Sequence, residues 1–140
     1  MNNRIAILSD IHGDTTALKA VIADARAQGA TEYWLLGDIL LPGPGREDLF
    51  ELLDAIPITA AVRGNWDDCV LEALDGEYGL EDPQEIQLLR LTQYLMEGLD
   101  PKRIDWLRSL PLVEKKEVNG IRFSLTHNLP EKNYGGDLRP

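Results

Sequence analysis

The sequence predicts an α/β domain with parallel strands. Two observations predict it. Short apolar runs at Ile5–Leu8, Tyr33–Leu36 and Ile58–Val62 have strand length, and segments of helical spacing separate them. Each run also leads into a polar island: Asp10-Ile11-His12, Gly37-Asp38 and Gly64-Asn65-Trp66-Asp67. A fourth island, Thr126-His127, closes a later run. Strands that end in Asp, His or Asn at one rim of a sheet build a metal site. The chain has 2 histidines, and both lie in these islands.

The elements follow in order. After Ile5–Leu8, Asp14 or Thr15 caps a helix with Leu18, Val21, Ile22 and Ala25 on its apolar face, and Gly29 ends it. Tyr33–Leu36 is the second strand, broken by Gly37. Pro42-Gly43-Pro44-Gly45 is a loop, because proline fixes φ and glycine frees it. A second helix runs from about Glu47 to Ala55, with Leu49, Leu52, Leu53 and Ile56 on one face and Pro57 as its stop. Ile58–Val62 is the third strand. Trp66–Leu74 reads as helix, and the acidic stretch from Asp75 to Glu85 as surface loop. Pro83 suits the first turn of a helix running to Glu97, closed by Gly98. Asp100-Pro101 opens a short helix with Ile104 and Leu107 inward. Leu112–Val118 and Ile121–Thr126 flank Asn119-Gly120, the strongest short hairpin signal. After His127 the composition is that of a loop, as if the chain were cut.

The 140 residues are expected to form one domain, 1–140, able to bury about two-thirds of the unfolded surface. Hydrophobic residues make up 44%, ordinary for a globular chain. The net charge of −10 argues against nucleic acid, since no basic stripe exists to neutralise phosphates. An acidic protein that takes a phosphate substrate needs a metal or a local Arg. Cys69 is the lone cysteine, which excludes an internal disulfide and suggests a reducing, cytoplasmic setting. Cys69 reads as a small core residue on a helix. Met1–Arg4 leads straight into a strand, with no signal peptide expected. No apolar stretch approaches membrane-spanning length.

Asp10 and His12 stand two apart at a strand end. If the extended backbone continues, both side chains point the same way and share a metal. Asp38 leaves the next strand at the same rim, where ligands bind in such sheets. A carboxylate has two oxygens and can bridge two metals. Asn65 offers a neutral carbonyl oxygen and His127 an imidazole. Hard oxygens with imidazole suit Mn, Fe, Zn or Ni. Gly13, Gly37 and Gly64 sit where the backbone turns sharply or approaches a ligand.

Taken in order, the islands resemble the calcineurin-like metallophosphoesterase superfamily. Its pattern is D-x-H, then G-D, then G-N-H-D/E, a strand-end His, and G-H-x-H. The resemblance spans Ile5 to His127 and looks closest to the small bacterial phosphodiesterase branch, given Gly37-Asp38 followed by Pro42-Gly43-Pro44, and Val62-Arg63-Gly64-Asn65. It implies an αββα sandwich with mixed β-sheets, the second sheet incomplete here. It implies two divalent metal ions: Asp10, His12 and Asp38 would hold the first, and Asp38, Asn65 and His127 the second. The implied chemistry is metal-dependent phosphoester hydrolysis, of phosphodiesters foremost, by in-line attack of a metal-activated water. Asn65 would also touch the phosphate. Arg63 would add positive charge, although a surface salt bridge suits it equally.

Two departures qualify this. Trp66 stands where many relatives carry a His that protonates the leaving group, which favours good leaving groups or diesters. Trp66 reads first as an apolar helix anchor, with substrate stacking as the second reading, and Asp67 as a helix cap. No G-H-x-H exists, so 1–140 is expected to be the N-terminal portion of a longer domain. The alternative is an inactive or weak scaffold of the same fold, acting through protein contacts as the retromer scaffold does. A response-regulator-like or nucleotide-binding α/β domain would fit the β-α-β start, but this chain has no G-x-G-x-x-G or P-loop. The branches that resemble protein phosphatases and dinucleoside tetraphosphatases usually carry Asp-Arg-Gly after the second motif, where Leu40-Leu41-Pro42 stands here. The expected partner is a small phosphoester. Self-association is expected if a sheet edge is left open.

Overall fold

The computed structural model describes residues 3–133. The expected loop from residue 134 onward, and the start of the N-terminal segment, lie outside them. Among the described residues ten elements follow in the predicted order. Strand β1 (Ile5–Leu8), helix α1 (Thr15–Ala27), β2 (Glu32–Leu35), α2 (Glu47–Asp54) and β3 (Ile58–Ala61) form the β-α-β-α-β unit. Helices α3 (Asn65–Leu74), α4 (Pro83–Met96) and α5 (Pro101–Ser109) follow, and the hairpin β4 (Val113–Val118) and β5 (Ile121–Thr126) comes last.

Caps set the helix starts. Asp14 accepts from the Ala17 N–H at 2.8 Å, and Asp82 and Asp100 do the same for α4 and α5, each just before a proline. The hairpin turn has positive φ at both Asn119 and Gly120, 52° and 78°. That is the mirror-image turn whose twist suits two antiparallel strands.

Strands β1, β2 and β3 pair in parallel, in that order, with β2 in the middle. The period of two then assigns the two faces of β2. Tyr33 and Leu35 join Leu8, Leu18, Leu49, Phe50, Val70, Leu95 and Leu107 in a core beneath all five helices. Trp34 points the other way, into a smaller core with Ala60, Val62 and Leu125. The hairpin therefore lies across the sheet face opposite the helices. Among the described residues the layers are helices, parallel sheet, antiparallel hairpin. Each sheet is unmixed, and neither the fourth layer nor the mixing implied for a complete αββα sandwich is seen in this segment.

The hairpin's outer face is polar. Opposed residues share a face, so the pairs Lys115–Ser124 and Glu117–Arg122 face outward together. Exposed apolar side chains are spread over several elements: Ile7 on the edge strand β1 is 54% exposed, Val21 of α1 45%, and Ile121 of β5 60%. Val21, expected inward from its spacing, is instead exposed.

Candidate metal centre

The site forms where the sheet's carboxyl ends meet the end of β5. Asp10 and His12 leave β1, Asp38 leaves β2, Asn65 opens α3 just after β3, and His127 follows β5. His12 Nε2 lies 3.6 Å from Asp10 Oδ1 and 3.5 Å from Asp38 Oδ2. His127 Nε2 lies 3.3 Å from the same Asp38 oxygen and 3.0 Å from Asn65 Oδ1. One carboxylate oxygen thus stands between two imidazole nitrogens. Donor atoms of Asp10, His12 and Asp38 all fall within 4.8 Å of one another.

The backbone differs from expectation here. Asp10 and His12 are not extended; both adopt left-handed φ, 57° and 50°, as does Asp38 at 54°. Non-glycine residues enter that region at a cost, and such strain concentrates at functional sites. Hydrogen bonds across the strand ends hold it: Asp10 N–H to the Gly37 carbonyl at 3.1 Å, and His12 N–H to the Asp38 carbonyl at 2.8 Å. Asp10 and His12 converge through this double turn and not through strand alternation. Gly37 and Gly64 permit it. A Cβ on Gly37 would strike the Gly64 backbone, and one on Gly64 would strike the Asp38 carboxylate.

Each imidazole is oriented by its far nitrogen. His12 Nδ1 meets the Leu41 carbonyl at 2.8 Å, and His127 Nδ1 meets the Leu36 carbonyl at 2.6 Å. Both therefore present Nε2 to the site, the arrangement that metal-ligating histidines adopt. The Asp38 carboxylate raises the pKa of His127 to about 9, with the Leu36 carbonyl adding to the effect. Asp38 Oδ1 accepts the Trp66 N–H at 2.9 Å, which leaves Oδ2 for the site. Two carboxylates, two imidazoles and an amide oxygen converge in a form that fits a divalent ion.

Asp67 carries more than the sequence shows. It is fully buried, and both oxygens accept backbone N–H groups: Asp38 and Gly64 at 2.9 Å on one, Ile39 at 3.0 Å on the other. The Gly64 bond is the expected helix cap. The other two tie the loop after β2 to the start of α3. Burial pushes its carboxyl up to about 6, against the pull of those amides. The third-motif spacing hints at the cap only; the long-range bonds have no local signal.

Trp66 packs against the main core and meets His12 edge-on, centroids 5.8 Å apart. Arg63 is turned to Asp68, and its Nη1 donates to the Leu110 carbonyl at 3.1 Å. Its geometry is that of the ion pair. Cys69 is half-buried on α3, with its thiol pKa raised by burial. A recess of about 760 Å³ lined by Phe50, Arg103, Trp106 and Glu114 includes none of the five site residues.

A strand-end carboxylate and imidazole centre on this fold defines a metallophosphoesterase-like α/β protein. Residues 3–138 match the calcineurin-like phosphoesterase family, and the chain belongs to it. It is 30% identical over 135 residues to an uncharacterized protein of Methanocaldococcus jannaschii, covering 94% of this chain and 51% of that protein. It is similar to the crystal structure of a metallophosphoesterase from Sphaerobacter thermophilus, at 31% identity and TM-score 0.59, covering 81% of this chain and 44% of that one. A hypothetical protein from Pyrococcus horikoshii OT3 shares the fold at TM-score 0.70 and 22% identity, covering 94% and 57%. The chain spans about half the length of these relatives. Among the described residues no helix is long and apolar enough to cross a membrane.

Proposed function

We propose that this chain supplies the metal-binding core of a phosphoesterase acting on phosphodiesters with good leaving groups. Asp10, His12 and Asp38 hold one divalent ion; Asp38, Asn65 and His127 hold a second. The observation that carries the reading is the single Asp38 oxygen lying 3.5 Å from His12 Nε2 and 3.3 Å from His127 Nε2. Bound ions of this kind neutralise phosphate oxygens and make water a nucleophile near neutral pH. Asp38 would hold the ions through Oδ2, since its Oδ1 accepts the Trp66 N–H. Asn65 turns its oxygen inward and leaves Nδ2 to donate to a phosphate oxygen. Arg63, held by Asp68, supports the α3 start and does not reach substrate.

Diesters follow from Trp66. An indole held against the core cannot hand a proton to an alkoxide, so leaving groups that depart unprotonated are favoured. Residues 1–140 are read as the N-terminal portion of such a domain, in keeping with the half-length match to relatives. The setting is cytoplasmic, with manganese the first metal to try and a small phosphoester, not nucleic acid, as the partner. The open β1 edge is a site for self-association.

The test uses Mn²⁺ and a chromogenic phosphodiester, with the full chain and its Asp38→Asn variant. Hydrolysis should fall by about 100-fold or more in the variant. Equal turnover by both proteins sinks the two-metal assignment. Mn²⁺ uptake without turnover by the unaltered chain favours the scaffold alternative.

A further inference from the structure

The segment after β5 holds a polar cluster outside the five ligands. Asn128, the residue after His127, donates from Nδ2 to Asn65 Oδ1 at 3.5 Å and also to the backbone carbonyl of Asn133. Asn133 is only 3% exposed. Its Nδ2 donates to the Arg63 carbonyl at 2.9 Å and to Asp68 Oδ2 at 2.8 Å. Asp68 holds the Arg63 guanidinium, which is anchored in turn on the Leu110 carbonyl. A turn closed by the Leu129 N–H on the Lys132 carbonyl at 3.2 Å joins the two asparagines. A continuous chain of hydrogen bonds therefore runs from the end of α5 to the amide of Asn65.

The consequence lies in the symmetry of a carboxamide. Its oxygen and nitrogen ends have nearly the same shape, and neighbours decide which faces where. Asn65 serves as an oxygen ligand only with Oδ1 turned to His127 and Asp38. Flipped, it presents two N–H groups to the centre and repels a cation. The Nδ2 of Asn128 is a donor aimed at Oδ1 beside His127 Nε2, which lies closer at 3.0 Å, so it adds to the preference for the first orientation and penalises the second. Asn128 can do this only while its loop is pinned. Asn133 pins it, and among the described residues the Oδ1 of Asn133 has no partner, so its two donated bonds set its orientation.

We propose that Asn128 is a positioning residue, fixing the Asn65 amide with its oxygen toward the metal centre, and that Asn133 is the latch that keeps it in place. This rests on the reading of Asn65 as an oxygen ligand. It adds two residues that touch neither metal nor substrate.

The experiment uses the metal-free, ¹⁵N-labelled chain. In Asn128→Ala the side-chain amide signals of Asn65 should shift and broaden as two orientations exchange, while the melting temperature stays the same. Asn133→Ala should give the same Asn65 shift. Asn128→Gln, which keeps a donor, should restore part of the original signal. Titration with Mn²⁺ should show affinity about tenfold weaker in Asn128→Ala. Unmoved Asn65 amide signals in Asn128→Ala overturn the proposal. So does a lowered melting temperature with shifts spread through α3 and β5, which marks a merely structural role. If the unaltered chain takes up no Mn²⁺, the metal-centre reading fails, and the Asn65 amide signals still decide what Asn128 does.

Discussion

Asp67 is the residue on which the centre's geometry rests without joining it. Asn at this position has one acceptor and one donor end. The donor end would face backbone N–H groups that now meet a carboxylate oxygen. Asp67→Asn should therefore cost about 2–4 kcal/mol of stability, read as a lower urea midpoint at unchanged slope. It should also weaken metal uptake, since the Asp38 backbone is displaced. His127 gives a pH signature. Its folded pKa of about 9 exceeds the ordinary 6.5, because the Asp38 carboxylate favours the charged ring. This contribution to the stability of the metal-free chain is fully present below pH 6.5. It is lost as pH rises through about 9. His127→Gln should flatten that part of the stability profile. A metal must displace the same proton, so apparent Mn²⁺ affinity in the unaltered chain should rise with pH toward about 9.

At the scale of elements, two glycines of similar φ separate function from local geometry. Gly120 in the β4–β5 turn has φ 78°, and a Cβ there would meet nothing within 4 Å. Gly120→Ala should lose only the left-handed penalty, about 1 kcal/mol, with metal uptake intact. Gly37 has φ 86° and meets the backbone of Arg63 and Gly64. Gly37→Ala must push apart the ends of β2 and β3. It should lose several-fold more stability than Gly120→Ala, and metal binding with it. Thermal melts paired with Mn²⁺ titration distinguish the two. The elements themselves were largely legible. Short apolar runs, Pro83 and Asp100-Pro101 at helix starts, and Asn119-Gly120 are local signals, and local forces decide them. The strand ends were less so. Ile11 separates Asp10 from His12 in a pattern that reads as extended, yet the Gly37 and Asp38 carbonyls bend it into a double left-handed turn.

Across the whole molecule, apolar exposure is uneven. The hairpin's outward pairs are polar, whereas Ile7 on the edge strand β1 is exposed, as are Ile121 and Phe123 of β5. An open edge with apolar side chains is a template for pairing. Sedimentation should show concentration-dependent association that Ile7→Lys reduces, with no loss of melting temperature. Sequence by itself determined the order of elements, the parallel sheet and the identity of the metal-capable residues. Each follows from periodicity, capping chemistry or the scarcity of histidine. Tertiary structure alone decided how those residues meet. It set the shared Asp38 oxygen, the pairing of Arg63 with Asp68, the buried brace of Asp67 and the Asn133–Asn128 link to Asn65. The physical reason is range: Asp67 reaches Ile39, 28 positions away, and Asn133 reaches Arg63, 70 positions away, and no local pattern encodes which of many polar side chains will be neighbours once the layers close.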